Sequence, residues 1–260
     1  MEEHLLHTVN LQVGYHTNGK PHPLASGLDL TLPKGQLIAL VGQNGVGKSS
    51  LLRTICQLQK PLQGEVFLLG KNVERYDSQE LAQQFSVVLT EKLPPSNLTV
   101  WELVALGRQP YTNWIGQLTK KDQQAIEQAL TDTDLTHIQN QKHFTLSDGQ
   151  LQKALIARAL AQETHLIVLD EPTTHLDLVH KLKLLQLLKS VCVSQEKCVL
   201  FSTHDIELAL TICDQLIVMT PEQVRQDSPE NLVASGIFSR LFSDQTFGFD
   251  STTKKFSFTI

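Results

Sequence analysis

Compact apolar runs separated by turn residues set the pattern of this chain. Gln36–Val41, Phe85–Leu89, Leu166–Leu169, Cys198–Phe201 and Leu216–Met219 are almost wholly aliphatic or aromatic. Runs this short, with few or no polar alternates, predict strands buried on both faces, as in a parallel sheet. Between them the apolar spacing becomes helical, for example in Ser49–Gln57 after the first run and His180–Cys192 before the fourth. Strands alternating with helices predict a doubly wound α/β core. Ahead of it, His7–Gly14 and Leu28–Leu32 read as strands of an N-terminal antiparallel β-subdomain. The turn residues Asn18-Gly19-Lys20-Pro21 lie between them.

From Pro94-Pro95 to about Leu160 the pattern is helical only. Asn97–Gly107, Asp122–Thr133 and Asp148–Leu160 predict three helices, the last with Leu151, Ala154, Leu155 and Ala159 on one stripe. The expected organisation is a core built from residues 1–93 and 161–260, with a helical subdomain inserted at 94–160. After Thr220 the pattern predicts one helix, Glu230–Phe242, and a short strand pair, Phe247–Phe249 and Phe256–Phe258. That tail carries no chemical motif.

Composition works mainly by exclusion. The 260 residues are 41% hydrophobic and 19% charged, which suits a globular protein. A net charge of −5 with no Lys/Arg cluster speaks against nucleic acid as a partner. Cys56, Cys192, Cys198 and Cys213 show no paired spacing, so reduced thiols in a cytosolic compartment are expected. No apolar run approaches the ~18–20 residues that cross a bilayer, and Met-Glu-Glu-His does not open a signal peptide.

The chemistry begins at the end of the first core strand. Gly42-Gln43-Asn44-Gly45-Val46-Gly47-Lys48-Ser49 fits G-x-x-x-x-G-K-[ST] between a strand and a helix, with Ser50 following. Such glycines let backbone N–H groups face phosphate oxygens at a helix N-terminus. Lys48 can reach the β- and γ-phosphates of a nucleotide and Ser49 can ligate Mg²⁺. Leu166–Leu169 ends in Asp170 and Glu171. Asp170 suits a Mg²⁺ contact, and Glu171 is placed to polarise a water against the γ-phosphate. The P-loop, Glu91, Asp170-Glu171 and His204 all follow carboxyl ends of expected core strands, the edge where open α/β sheets bind ligands.

Leu146-Ser147-Asp148-Gly149-Gln150, followed by Ala157-Arg158-Ala159-Leu160, resembles the signature motif of the ATP-binding-cassette ATPases. With it come matches to the family's adenine-stacking aromatic at Tyr15, its loop aspartate at Asp177 and its switch histidine at His204. The resemblance implies a P-loop NTPase core with a mainly parallel sheet. It also implies ATP and Mg²⁺ as cofactors, with Ser147, Gly149 and Gln150 contacting the nucleotide of a second copy, hence a homodimer. Two departures stand out: Asp148 replaces the usual first glycine, and Glu91 fills a slot where the family has Gln. Asp148 is expected to turn away from phosphate and cap the helix behind it. Glu91 is expected to contact the metal and the attacking water.

Val104–Pro110, within Leu98–Tyr111, resembles the cassettes of importers of iron chelates, haem and cobalamin. By physics alone, Gly107-Arg108 also reads as a helix end, with Gly as cap and Arg beside the negative pole. The expected partners are transmembrane permease subunits and, through them, a substrate-binding protein. The expected location is the cytoplasmic face of the inner or plasma membrane. A zinc or manganese importer, or a soluble cassette ATPase, would use the same motifs. A small-molecule P-loop kinase would explain Gly42–Ser49 but not Leu146–Gln150.

Overall fold

The chain starts with a sheet that is antiparallel throughout. In the computed structural model, which describes residues 4–89, 96–174, 176–241 and 247–258, β1 (His4–Thr17) pairs with β2 (Lys20–Leu28) across a turn at Asn18-Gly19. It also pairs with β3 (Thr31–Pro33) and, further on, with β5 (Gln63–Leu68), beside which lies β6 (Lys71–Asn72). The run Leu28–Leu32 is therefore not one strand but the end of β2 and the start of β3. The Thr8 hydroxyl spans the break, donating to the Leu28 carbonyl (2.6 Å) and accepting from the Leu30 N–H (2.8 Å).

The second sheet has the order β11-β10-β4-β9-β8-β7. Its members are β4 (Leu37–Gly42), β7 (Phe85–Val88), β8 (Leu166–Leu169), β9 (Cys198–Ser202), β10 (Gln215–Met219) and β11 (Val224–Asp227). The five anticipated strands run parallel, and β11 adds an antiparallel edge. Burial on both faces explains their unbroken apolar runs. Leu37, Ala39, Val41, Ile167, Leu169, Val199 and Phe201 pack toward one core, while Ile38, Leu40, Leu166, Val168 and Leu200 pack toward the other.

Helices cover both faces. On the side of the antiparallel sheet lies α1 (Lys48–Ile55), and the short α2 (Ser78–Ala82) precedes β7. The other core takes α3 (Val100–Ala105), α4 (Lys120–Asp132), α5 (Asp148–Ala161), α6 (Leu178–Gln195) and α7 (Ile206–Ile212). The single helix expected over Glu230–Phe242 is two, α8 (Pro229–Ala234) and α9 (Ile237–Leu241), broken at Gly236. The hairpin β12 (Phe247–Asp250) and β13 (Lys255–Phe258) follows, where a strand pair is expected.

The helix expected over Asn97–Gly107 is shorter, and its continuation tightens into a 3₁₀ segment, Leu106–Tyr111, that contains Pro110. Gly107 lies so near α5 that a Cβ would stand 2.2 Å from the Arg158 carbonyl oxygen, so only glycine fits. Arg108 does not sit at a helix pole in solvent. Its guanidinium is 2% exposed and bonds Asp122 (2.8 Å), the Ala161 carbonyl (2.7 Å) and Glu163 (2.8 Å), with the Tyr111 ring 4.1 Å away. Burial opposes the charge on Asp122, but hydrogen bonds from Thr119 and Arg108 outweigh it and hold that carboxyl below its usual range. Gly107-Arg108 thus ties the 3₁₀ segment to α4 and the end of α5. Arg108→Ala should destabilise the protein by about 3–5 kcal/mol, because it strands a buried carboxylate. Urea unfolding measures this, and a loss under ~1 kcal/mol would mean solvent reaches the pair.

Candidate functional site

The loop between β4 and α1 turns on Gly47, whose φ of 111° no side chain adopts cheaply and which caps α1. The first helical residue is Lys48. Its buried ammonium donates to the carbonyls of Gly42 (2.9 Å) and Gln43 (3.0 Å) and so lies across the loop. Burial lowers the Lys48 pKa, while the charges of Glu171 and Asp170 work the other way. The Gln43 side chain donates to the Leu241 carbonyl and ties the loop to α9.

Asp170 and Glu171 follow β8 directly. Asp170 is buried and accepts from the Ser202 hydroxyl at 2.6 Å. Glu171 has a left-handed backbone, φ 51°, a conformation that strains a non-glycine residue by about 1–3 kcal/mol. Its carboxylate meets His204 Nε2 at 2.6 Å and accepts from the Thr174 hydroxyl at 3.2 Å. The strained acid is thus tethered by both His204 and Thr174.

Lys48 and Glu171 face one cavity of about 360 Å³. Its lining also includes Tyr15, Asn44, Gly45, Gly47, Ser49 and Ser50. Tyr15 stands half-exposed at the rim, its ring stacked on His22 with centroids 5.6 Å apart. His22 lies one residue past the stretch read as a turn and was not foreseen. The pair offers a flat aromatic surface beside a phosphate-sized loop.

Ser147, Asp148, Gly149, Gln150 and Asp177 lie elsewhere. They line a separate cavity of about 460 Å³ with His137, Lys153, Leu176 and His180, and it shares no residue with the first. The cap of α5 is Ser147, not Asp148. Ser147 accepts from the Gln150 N–H (3.3 Å), and Gln150 returns a bond to the Ser147 N–H (3.0 Å). Asp148 is the first helical residue and is exposed, because the reciprocal Ser147–Gln150 box already occupies the cap. Asp177 caps α6 through His180, whose backbone N–H (2.9 Å) holds the Asp177 carboxyl below its usual range. Glu91 lies outside the described residues.

Sequence reasoning missed Ser202, the polar end of an otherwise apolar strand. Among the described residues no group of three or more His, Cys, Asp or Glu side chains is placed to hold a metal. No helix there is long and apolar enough to cross a membrane.

A family model described as ABC transporter matches residues 25–174. The ferric enterobactin transport ATP-binding protein FepC of Escherichia coli K12 is 36% identical over 233 residues, covering 89% of this chain and 84% of FepC. A metal-chelate type ABC transporter solved in an inward-facing conformation superposes with a TM-score of 0.80 at 29% identity, over 97% of this chain and 95% of that one. The ATP-binding cassette MJ0796, solved as a dimer in a post-hydrolysis state with ADP and Pi, gives 0.75 at 28% identity, over 86% and 98%.

Proposed function

This chain belongs to the ABC transporter family of ATP-binding subunits, and from that premise we propose that it hydrolyses ATP to drive a membrane importer of iron–siderophore chelates. The observation that carries the ATPase reading is the meeting of Lys48, Asp170, Glu171 and His204 at one edge of the parallel sheet. The importer reading rests on similarity along 89% of the chain to a ferric enterobactin transport protein.

The nucleotide base is assigned to Tyr15, and the phosphates to the loop Gly42, Gln43, Asn44, Gly45, Val46, Gly47 together with Lys48, Ser49 and Ser50. Lys48 would exchange its two carbonyl partners for phosphate oxygens, a charge-assisted and stronger contact. The donors available for a metal are all oxygen, from the Ser49 hydroxyl and the Asp170 carboxylate. One carboxylate and one hydroxyl, with nucleotide oxygens and waters, fit Mg²⁺ rather than a softer metal. Mg²⁺ held there would offset charge on the β- and γ-phosphates. Glu91 is proposed on its sequence position as a further contact. Glu171 accepts the proton of the attacking water, and His204 fixes which way its carboxylate faces.

Two copies are proposed to pair, with Ser147, Gly149, Gln150 and Asp177 of one facing the nucleotide of the other. In this reading residues 94–160 form the helical subdomain. A groove of about 910 Å³ between α2 and the 3₁₀ segment, lined by Gln79, Ala82, Pro110, Trp114 and Arg158, is proposed to receive a permease segment. Trp114 is 94% exposed at its edge. The permease would hold the chain at the cytoplasmic face of the membrane, and the substrate-binding protein would act only through it. Tagged chain purified from detergent-solubilised membranes should bring down a multi-spanning permease. Trp114→Asp should lose that permease while basal ATPase stays within about two-fold, as expected for an exposed anchor remote from the chemistry. Recovery of ATPase with no membrane partner would overturn the importer reading and leave the ATPase.

A further inference from the structure

Ser202 is the last residue of β9, fully buried at the end of the sequence Cys-Val-Leu-Phe. The parallel register sets Leu169 opposite Phe201, so Ser202 stands beside Asp170. Its hydroxyl is engaged on both sides, donating to Asp170 Oδ1 at 2.6 Å and accepting from the Glu171 N–H at 2.8 Å. A hydroxyl can do both at once, whereas a thiol does so weakly and a methyl not at all. The N–H it receives belongs to the residue whose backbone is left-handed, φ 51°.

We propose that Ser202 is a positioning residue for hydrolysis. One side chain orients the carboxylate that faces the metal and pins the strained backbone that aims the carboxylate of Glu171. The two acids are adjacent in sequence yet have different work, so a small rotation of the peptide between them would misplace both. Ser202 couples them as one rigid unit, with His204 two residues further on holding the far end of Glu171. A loop without this hydroxyl keeps both acids but not their mutual geometry. This inference rests on the roles assigned above to Asp170 and Glu171.

The test uses the full-length chain with Ser202→Ala, Ser202→Cys and Ser202→Thr, and Glu171→Gln as the reference. Binding of a fluorescent ATP analogue in EDTA reads the nucleotide site without metal. Mn²⁺ titration by paramagnetic resonance with the same analogue reads the metal site without turnover. Ser202→Ala should melt as a folded protein and bind the analogue in EDTA within about two-fold of wild type. Its Mn²⁺ affinity should fall about 10-fold, the scale of a lost outer-shell partner. Its kcat should fall on the order of 10- to 100-fold with little change in KM. Ser202→Thr, which keeps the hydroxyl, should recover most of both. Should Ser202→Ala fail to fold, Ser202→Cys carries the same readings. Wild-type kcat and Mn²⁺ affinity in a folded Ser202→Ala or Ser202→Cys chain would overturn the proposal. So would a fall in EDTA binding equal to the fall in kcat, which marks a purely structural role. If Glu171→Gln itself hydrolyses ATP normally, the assignment of Glu171 fails first, whatever Ser202 does.

Discussion

Glu171→Gln should bind ATP as tightly as the native chain and hydrolyse it at least about 100-fold more slowly, the scale of a missing general base. Gln matches the shape of Glu, so it can keep the left-handed backbone and the backbone N–H that donates to the Ser202 hydroxyl. It also keeps an oxygen for Thr174. What the amide lacks is a basic oxygen for the water proton. Lys48 and its bonds to the loop are untouched, so the proposed phosphate contacts should remain. The substitution should therefore trap nucleotide, seen as unchanged affinity in equilibrium binding beside a collapsed kcat. Hydrolysis within a few-fold of wild type would remove Glu171 from the base role. His204→Ala should slow hydrolysis less, because it frees the carboxylate to rotate without removing it.

How much of this was readable depends on what kind of signal each residue leaves. β4, β8 and β9 were legible because burial on both faces forbids polar alternates, which leaves unbroken apolar runs. The turn from β4 into α1 was legible because its left-handed glycines, Gly45 and Gly47, leave a fixed spacing in the sequence. β5 and β11 were not, since their residues are largely exposed or half-buried and carry no alternation to detect. The break between α8 and α9 was missed because a glycine in a helical pattern is often tolerated. Arg108 was misjudged for a different reason. Its partners Asp122 and Glu163 lie on other elements, and no local pattern announces a buried guanidinium. Asp148 went wrong by one position: Ser147 and Gln150 have the spacing of a capping box, which local rules favour over a lone Asp cap. Ser202 escaped for the same reason as Arg108, since its two bonds cross from β9 to the end of β8.

Mixing two inactive variants, Lys48→Ala and Ser147→Arg, should restore ATPase. In one chain the cavity holding Lys48 and the cavity holding Ser147 share no lining residue, so neither group serves the other's site within a protomer. In the proposed pairing, two copies related by a two-fold axis would set each Lys48 cavity against the partner's Ser147 cavity and make two composite sites. Lys48→Ala should spoil both sites of its own dimer by removing the ammonium proposed to meet phosphate. Ser147→Arg spoils both of its own by placing a long side chain where the partner nucleotide would lie. It also loses the cap of α5, at about 1 kcal/mol, so its melting temperature needs checking. In a mixed dimer one site carries both lesions and the other carries neither. Random pairing at equal amounts makes half of the dimers mixed, each with one sound site of two, so about a quarter of wild-type activity should return if the sites act independently. The recovered rate should rise more steeply than linearly with total protein at high dilution, because it needs association. A chain that completes its own site predicts the opposite. Mixing would then give only the sum of two residual rates, strictly proportional to concentration, and the composite site would be wrong.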